Sequence, residues 1–179
     1  DFLDIYGLAS PWLHFTNFAF STGSATIDVP NDATFGAAFG GMLSDHLYLL
    51  ASVVDANSDP KAFWDSAETF FSKNEYFSSL ELGWTSGQGR IYLDNYHVTF
   101  WHKDSREDID GQDTPSGWGI NLSFARFVDE RWMPFLRGGY SEDGESLLSK
   151  SVSTGIGYRL RENRDLLGFG VNWGKPNKN

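Results

Sequence analysis

Gly117-Trp-Gly-Ile-Asn-Leu-Ser-Phe-Ala-Arg-Phe-Val-Asp-Glu-Arg-Trp-Met-Pro-Phe-Leu-Arg-Gly-Gly-Tyr140 is the stretch that decides the fold. Trp118, Ile120, Leu122 and Phe124 alternate with Gly119, Asn121, Ser123 and Ala125. After a tight break at Val128 to Arg131, Trp132, Pro134, Leu136 and Tyr140 alternate with Met133, Phe135, Arg137 and Gly139. A period of two belongs to an extended strand, whose successive side chains point to opposite faces. Two such runs around a short polar break predict an antiparallel hairpin with one bulky parity and one slender parity.

The same pattern extends in both directions. Tyr76, Leu80, Leu82 and Trp84 oppose Ser79, Glu81 and Gly83, while Tyr96, Val98 and Phe100 oppose Asn95, His97, Thr99 and Trp101. Further on, Val152, Thr154, Ile156 and Tyr158 oppose Ser151, Ser153, Gly155 and Gly157, and Leu167, Phe169, Val171 and Trp173 oppose Gly168, Gly170 and Asn172. Toward the start, Phe35, Ala37, Phe39 and Leu43 alternate with Gly36, Ala38, Gly40 and Met42. Leu47 to Asp55 is apolar on both parities and leaves its orientation open. Residues 1–32 are expected to hold one strand and a loop. Tight breaks at Ser44 to His46, Thr85 to Arg90, Val128 to Arg131 and Arg161 to Arg164 are expected to alternate with long polar connections. In one of these, Asp59-Pro60 reads as a helix start, with Phe63, Ala67, Phe70 and Phe71 following at helical spacing.

Composition narrows the classes. With 40% hydrophobic and 21% charged residues among 179, the chain is neither disordered nor fibrous. No run approaches the ~20 apolar residues of a spanning helix, and the mean hydropathy is −0.37. Only alternate residues of a membrane β-barrel face lipid, so that architecture stays open. A net charge of −10 argues against a nucleic-acid partner. The absence of cysteine fits a bacterial cell envelope, although many cytosolic proteins also lack it.

Short turns alternating with long loops, strands of about ten residues and a heavy aromatic content predict an all-β fold, an antiparallel transmembrane β-barrel. A soluble β-sandwich also alternates. The bulky parity carries a second regularity, since Trp84, Trp132 and Tyr158 lie beside short turns, whereas Tyr76, Trp118, Tyr140 and Trp173 lie beside long loops. Two aromatic belts at two interfaces are expected. A barrel of about eight strands needs a packed interior, and the slender parity here would leave one hollow. Residues 1–179 are therefore expected to form one partial barrel domain, with the first and last strands of a wider barrel outside the sequence. An opening at Asp1 without a basic, apolar leader and an ending in Lys175-Pro-Asn-Lys-Asn179 are consistent with that expectation.

Four segments carry a family resemblance: Arg90 to His102, Gly117 to Phe124, Arg131 to Tyr140 and Asp165 to Gly174. Together they resemble the carbohydrate-selective outer-membrane porins of the OprB family, over a span from about Asn17 to the C-terminus. The resemblance implies a barrel of about sixteen strands in the outer membrane of a Gram-negative bacterium. It implies passive diffusion of glucose and other sugars, contact with outer-membrane lipid and lipopolysaccharide, and no cofactor. Monomer and homotrimer both stay open.

Sugar selectivity needs ring surfaces for the apolar face of a pyranose and donors and acceptors for its hydroxyls. Glu81, Asn95, His97, Thr99, Trp101, Asn121 and Arg137, all on the slender parity, offer both. Trp101 is expected as a stacking platform, or alternatively as a rim aromatic. Arg137 and Glu81 are expected as hydrogen-bonding charges along the path, or alternatively as an ion pair bracing the wall. The acidic run Asp104, Glu107, Asp108, Asp110 and Asp113, with Glu142, Asp143 and Glu145, predicts a negative mouth that favours neutral or cationic solutes. Asp108-Ile-Asp110-Gly111 matches only a fragment of a calcium loop and reads first as a solvated acidic loop. No enzyme is expected, since His14, His46, His97 and His102 show no metal-ligand spacing and no nucleophile elbow appears. A pore and a non-pore barrel that displays its loops are the two classes that remain.

Overall fold

A computed structural model of the chain describes residues 15, 17–20, 25–28, 34–57, 63–108, 110–161 and 165–178. Its strands are β1 (Gly36–Met42), β2 (Leu47–Asp55), β3 (Tyr76–Thr85), β4 (Asn95–Lys103), β5 (Arg106–Glu107), β6 (Asp113–Thr114), β7 (Gly117–Ala125), β8 (Trp132–Glu142), β9 (Leu148–Arg159) and β10 (Leu166–Pro176). Eight of them form one sheet in the order β1-β2-β3-β4-β7-β8-β9-β10, and β5 and β6 make a separate small hairpin. Every pairing in the large sheet is antiparallel and joins strands consecutive in the chain, except that the β5–β6 hairpin intervenes between β4 and β7. The all-β, antiparallel expectation holds. The sheet is open, because β1 and β10 stand at its two edges and do not pair with each other.

Register turns the sequence alternation into two chemically distinct faces. On the outer face Leu82, Val98, Leu122, Gly138, Val152 and Trp173 follow one another across six strands. The large side chains of this face stay uncovered: Leu122 is 58% exposed and, on β10, Phe169 is 70% exposed. The inner face carries Gly83, His97, Ser123, Arg137, Ser153 and Asn172 in one row, and Glu81, Thr99, Asn121, Gly139 and Ser151 in the next. An exposed apolar face opposite a buried polar one is the reverse of a water-soluble sandwich, whose sheets bury their apolar sides against each other.

The inner face is filled, not hollow. Phe15 stacks on Phe20 at 4.7 Å, and Phe20 meets Phe135 edge-on at 6.3 Å. With Ala125, Phe127 and Met133 they make a small apolar core toward the short-turn end. Farther along, Asn121 Nδ2 donates to Thr26 Oγ1 at 2.6 Å and Ser153 Oγ donates to the Ala19 carbonyl at 2.6 Å. The strand expected within residues 1–32 does not occur among the described residues there. Phe18–Phe20 form a 3-10 turn instead, closed by the Phe20 N–H on the Asn17 carbonyl.

Inward glycines make this filling possible. A Cβ on Gly83 would sit 2.0 Å from the Tyr48 ring, and one on Gly139 would sit 1.7 Å from Thr26 Oγ1. The slender parity therefore leaves room for large neighbours. Tyr48, buried opposite Gly83, also settles the orientation that β2 left open.

Two connections differ from expectation. The β3–β4 connection spans 86–94, because the Leu93 and Asp94 N–H groups bond the Arg90 carbonyl and close a helical turn where an immediate strand was expected. Between β8 and β9 the connection is only 143–147, where Asp143, Gly144 and Glu145 take φ of 56°, 69° and 63° and reverse the chain tightly. The long connections are 56–75, which carries helix α1 (Phe63–Ser72), and 104–116, which carries the β5–β6 hairpin. The expected helix start at Asp59-Pro60 lies outside the described residues.

Candidate functional site

The inner face gathers the candidate residues. Thr99 pairs with Glu81 on one side and Asn121 on the other, so these three lie in one row across β3, β4 and β7. Asn95, His97, Thr99 and Trp101 rise along β4 at intervals of two, and Arg137 lies two strands from His97, opposite Ser123. All of these side chains are buried.

Glu81 is the hub. Thr99 Oγ1 donates to Glu81 Oε2 at 2.7 Å, and Tyr48 Oη lies 3.0 Å from both Glu81 Oε1 and Asn95 Oδ1. The single hydroxyl proton of Tyr48 is thus shared between two acceptors. Asn95 Nδ2 donates to the Ile91 carbonyl at 2.9 Å, which turns its Oδ1 toward Tyr48 and toward His97 Nδ1 at 2.6 Å. Because an amide oxygen only accepts, Nδ1 carries the hydrogen and Nε2 faces Glu81 Oε2 at 3.9 Å. Glu81 thus accepts bonds from two hydroxyls, and Asn95 turns the His97 ring toward it.

Trp101 is enclosed. Its ring stacks on Phe77 at 6.1 Å with 20° between planes, and Gly119 and Gly144 close on its edges. Its indole Nε1 has no hydrogen-bond partner among the described residues. Arg137 is 1% exposed and lies 4.7 Å over the Phe135 ring. Glu81 is bonded to hydroxyls and faces His97, and Arg137 lies over an aromatic ring.

At the far end of β4, Lys103 binds Asp28 and donates to Glu145 Oε2 at 2.8 Å, while Arg106 Nη2 reaches the same oxygen at 3.0 Å. Burial pushes the Glu145 carboxyl up, and the bonds from Lys103 and Arg106 outweigh it, leaving the group below its ordinary range. Part of the acidity expected at this mouth is thereby neutralised. Sequence reading missed Lys103, whose only signal was a lone cation ending an inward parity. In the 104–116 loop, Asp108 Oδ1 accepts the N–H groups of Asp110 and Gln112, so the calcium-loop fragment serves as a turn cap. Among the described residues, no His, Asp or Glu cluster has the arrangement of a metal site.

At the opposite end Asp94 gathers Arg90 Nε at 2.6 Å, Ser86 Oγ at 2.6 Å and the Phe127 N–H at 2.9 Å. Burial raises this carboxyl and the three donors bring it below its usual range.

The outer face carries the aromatic rows. Trp84, Tyr96 and Phe124 stack at 4.9 Å and 4.7 Å with nearly parallel rings, and Trp132 meets Tyr158 at 4.5 Å. Toward the other end Trp118 meets Tyr140 at 5.6 Å and Tyr76 meets Phe70 at 5.0 Å. No protein-family model, no curated protein and no solved structure matches the chain.

Proposed function

We propose that this chain is wall material of a transmembrane β-barrel in the outer membrane of a Gram-negative bacterium, and that the barrel is a porin admitting sugars by passive diffusion. The observation that carries the first part is the outer face, where the large apolar side chains of eight consecutive strands stand uncovered. An exposed apolar area of this extent needs a cover, and lipid is the cover that also suits aromatic rows near both strand ends. The sugar specificity rests on the resemblance to the OprB porins and on the polar inner rows. Glu81, Asn95, His97, Thr99, Asn121 and Arg137 supply donors and acceptors there, and Trp101 acts by shaping the wall, since its ring faces are enclosed. Lipid and lipopolysaccharide are then the outer partners, and a homotrimer is compatible with the outer face. On this reading the protein binds no nucleic acid and carries out no chemistry.

A second reading, a barrel without a pore, is favoured by one observation: Phe15, Ala19, Phe20 and Thr26 pack onto the inner rows. Planar-bilayer recordings separate the two. The pore reading expects steady ion conductance that falls when glucose or malto-oligosaccharide is added; a membrane-inserted protein without conductance would overturn it in favour of the second.

A further inference from the structure

A groove of about 580 Å³ runs across the outer face between two of its rows. One row pairs Trp84, Tyr96, Phe124 and Leu136 in register, and the other pairs Leu82, Val98, Leu122, Gly138 and Val152. Gly138 is the member of these rows without a side chain, and the gap it leaves beside Leu122, Leu136 and Val152 belongs to the groove. A Cβ added there would meet the Ser151 carbonyl oxygen at 3.3 Å and Val152 Cγ2 at 3.8 Å, with nothing else among the described residues within 4 Å. The chain itself does not fill this space.

At its short-turn border the groove meets a cation. Leu122 and Phe124 are followed on the same parity by Arg126, whose N–H bonds the Pro134 carbonyl at 3.4 Å and so carries the alternation one step past β7. Arg126 Nη1 donates to the Tyr96 hydroxyl at 3.5 Å, which brings the guanidinium to the stacked rings of Trp84, Tyr96 and Phe124 that line the groove. Arg126 is exposed, and among the described residues no carboxylate lies within ion-pair distance of it. Asp94 is taken by Arg90, and Glu130 by Arg90 and Arg159. The Tyr96 hydroxyl accepts from Arg126 and keeps its own proton for another acceptor. Two donors and an uncompensated positive charge therefore stand at the edge of an apolar groove.

We propose that this groove seats one phospholipid, with its phosphodiester on the Arg126 guanidinium and the Tyr96 hydroxyl and an acyl chain lying over Gly138. This names a ligand site within the membrane reading above and rests on that reading. Charge and order along the strand select the occupant. Apolar side chain, ring and cation succeed one another at 122, 124 and 126, in the order in which a lipid presents acyl chain, interface and phosphate. A planar guanidinium can hold two phosphate oxygens at once. A second copy laid on the same patch would bring the outer parity of β3, β4 and β7, which carries no carboxylate to balance Arg126. A phosphodiester supplies that charge together with the chain that covers the groove.

Native mass spectrometry of the full chain in dodecyl maltoside tests the site, by titration with dioleoylphosphatidylglycerol and separately with dioleoylglycerol, which has the same chains and no phosphate. The wild-type chain is expected to retain one phosphatidylglycerol and to bind dioleoylglycerol about tenfold more weakly. Arg126→Gln is expected to bring phosphatidylglycerol down to the dioleoylglycerol level, and Gly138→Leu to weaken both lipids. Arg126 is exposed beyond the strand end, so its replacement keeps the test open even if Gly138→Leu does not fold. Equal phosphatidylglycerol retention by wild type and Arg126→Gln would overturn the site, and so would a wild-type chain that carries a second copy in place of the lipid. A fluorophore at Leu122→Cys in vesicles of brominated phosphatidylglycerol reads the membrane reading by itself. Quenching at 122 without any effect of Arg126→Gln removes the site and leaves the barrel wall standing; no quenching at 122 removes both.

Discussion

Asp94 illustrates how one side chain holds a whole turn. Its carboxylate ties Arg90 and Ser86 in the 86–94 connection to the Phe127 N–H beyond β7, so two turns are joined through one buried charge. A carboxyl lowered in the native state contributes stability that is present above its unfolded value, about pH 4, and lost as pH falls through the lower native value. Asp94→Asn should cost about 1–3 kcal/mol near neutral pH and flatten the pH dependence below about pH 4. Denaturant unfolding in detergent at several pH values reads both; parallel profiles for the two proteins would deny Asp94 this role. Gly83 makes the complementary case for volume. A methyl there meets the Tyr48 ring at 2.0 Å, so Gly83→Ala must displace Tyr48 from Glu81 and Asn95. The expected loss is about 1–3 kcal/mol, seen as a lowered thermal midpoint.

At the scale of elements, strands were legible and their surroundings were not. β7 and β8 follow the alternation of Trp118 to Tyr140 residue by residue, because a period of two is a local property of an extended chain. The α1 helix was also legible, since Phe63, Ala67 and Phe70 keep helical spacing. Residues 91–94 differ from expectation, because the tight break was expected to end at Arg90 while the Arg90–Asp94 pair closes a further turn. The candidate inner residues were found from parity, but their burial was not. Glycine opposite a polar residue reads as empty space, and nothing local reveals that Tyr48, Phe135 or Thr26 will occupy it. Lys103 belongs to this scale too, since it latches the 25–28 segment through Asp28 and the β8–β9 connection through Glu145. Lys103→Gln leaves both carboxylates with less cationic charge and should raise cation over anion permeability. Reversal potentials in a salt gradient measure this; no shift would remove that end of β4 from the conducting mouth.

For the whole molecule, the central relation is between an uncovered apolar face and a buried polar face on a single open sheet of eight strands. Burying the outer rows against protein would give the same alternation, and only the environment of that face separates the two. A single-cysteine scan through residues 118–125 of β7, each site carrying a fluorophore and exposed to brominated lipids, tests this most directly. A lipid-facing outer parity predicts strong quenching at 118, 120, 122 and 124 and weak quenching at 119, 121, 123 and 125. Quenching that is weak at all positions, or strongest at the odd ones, would contradict it.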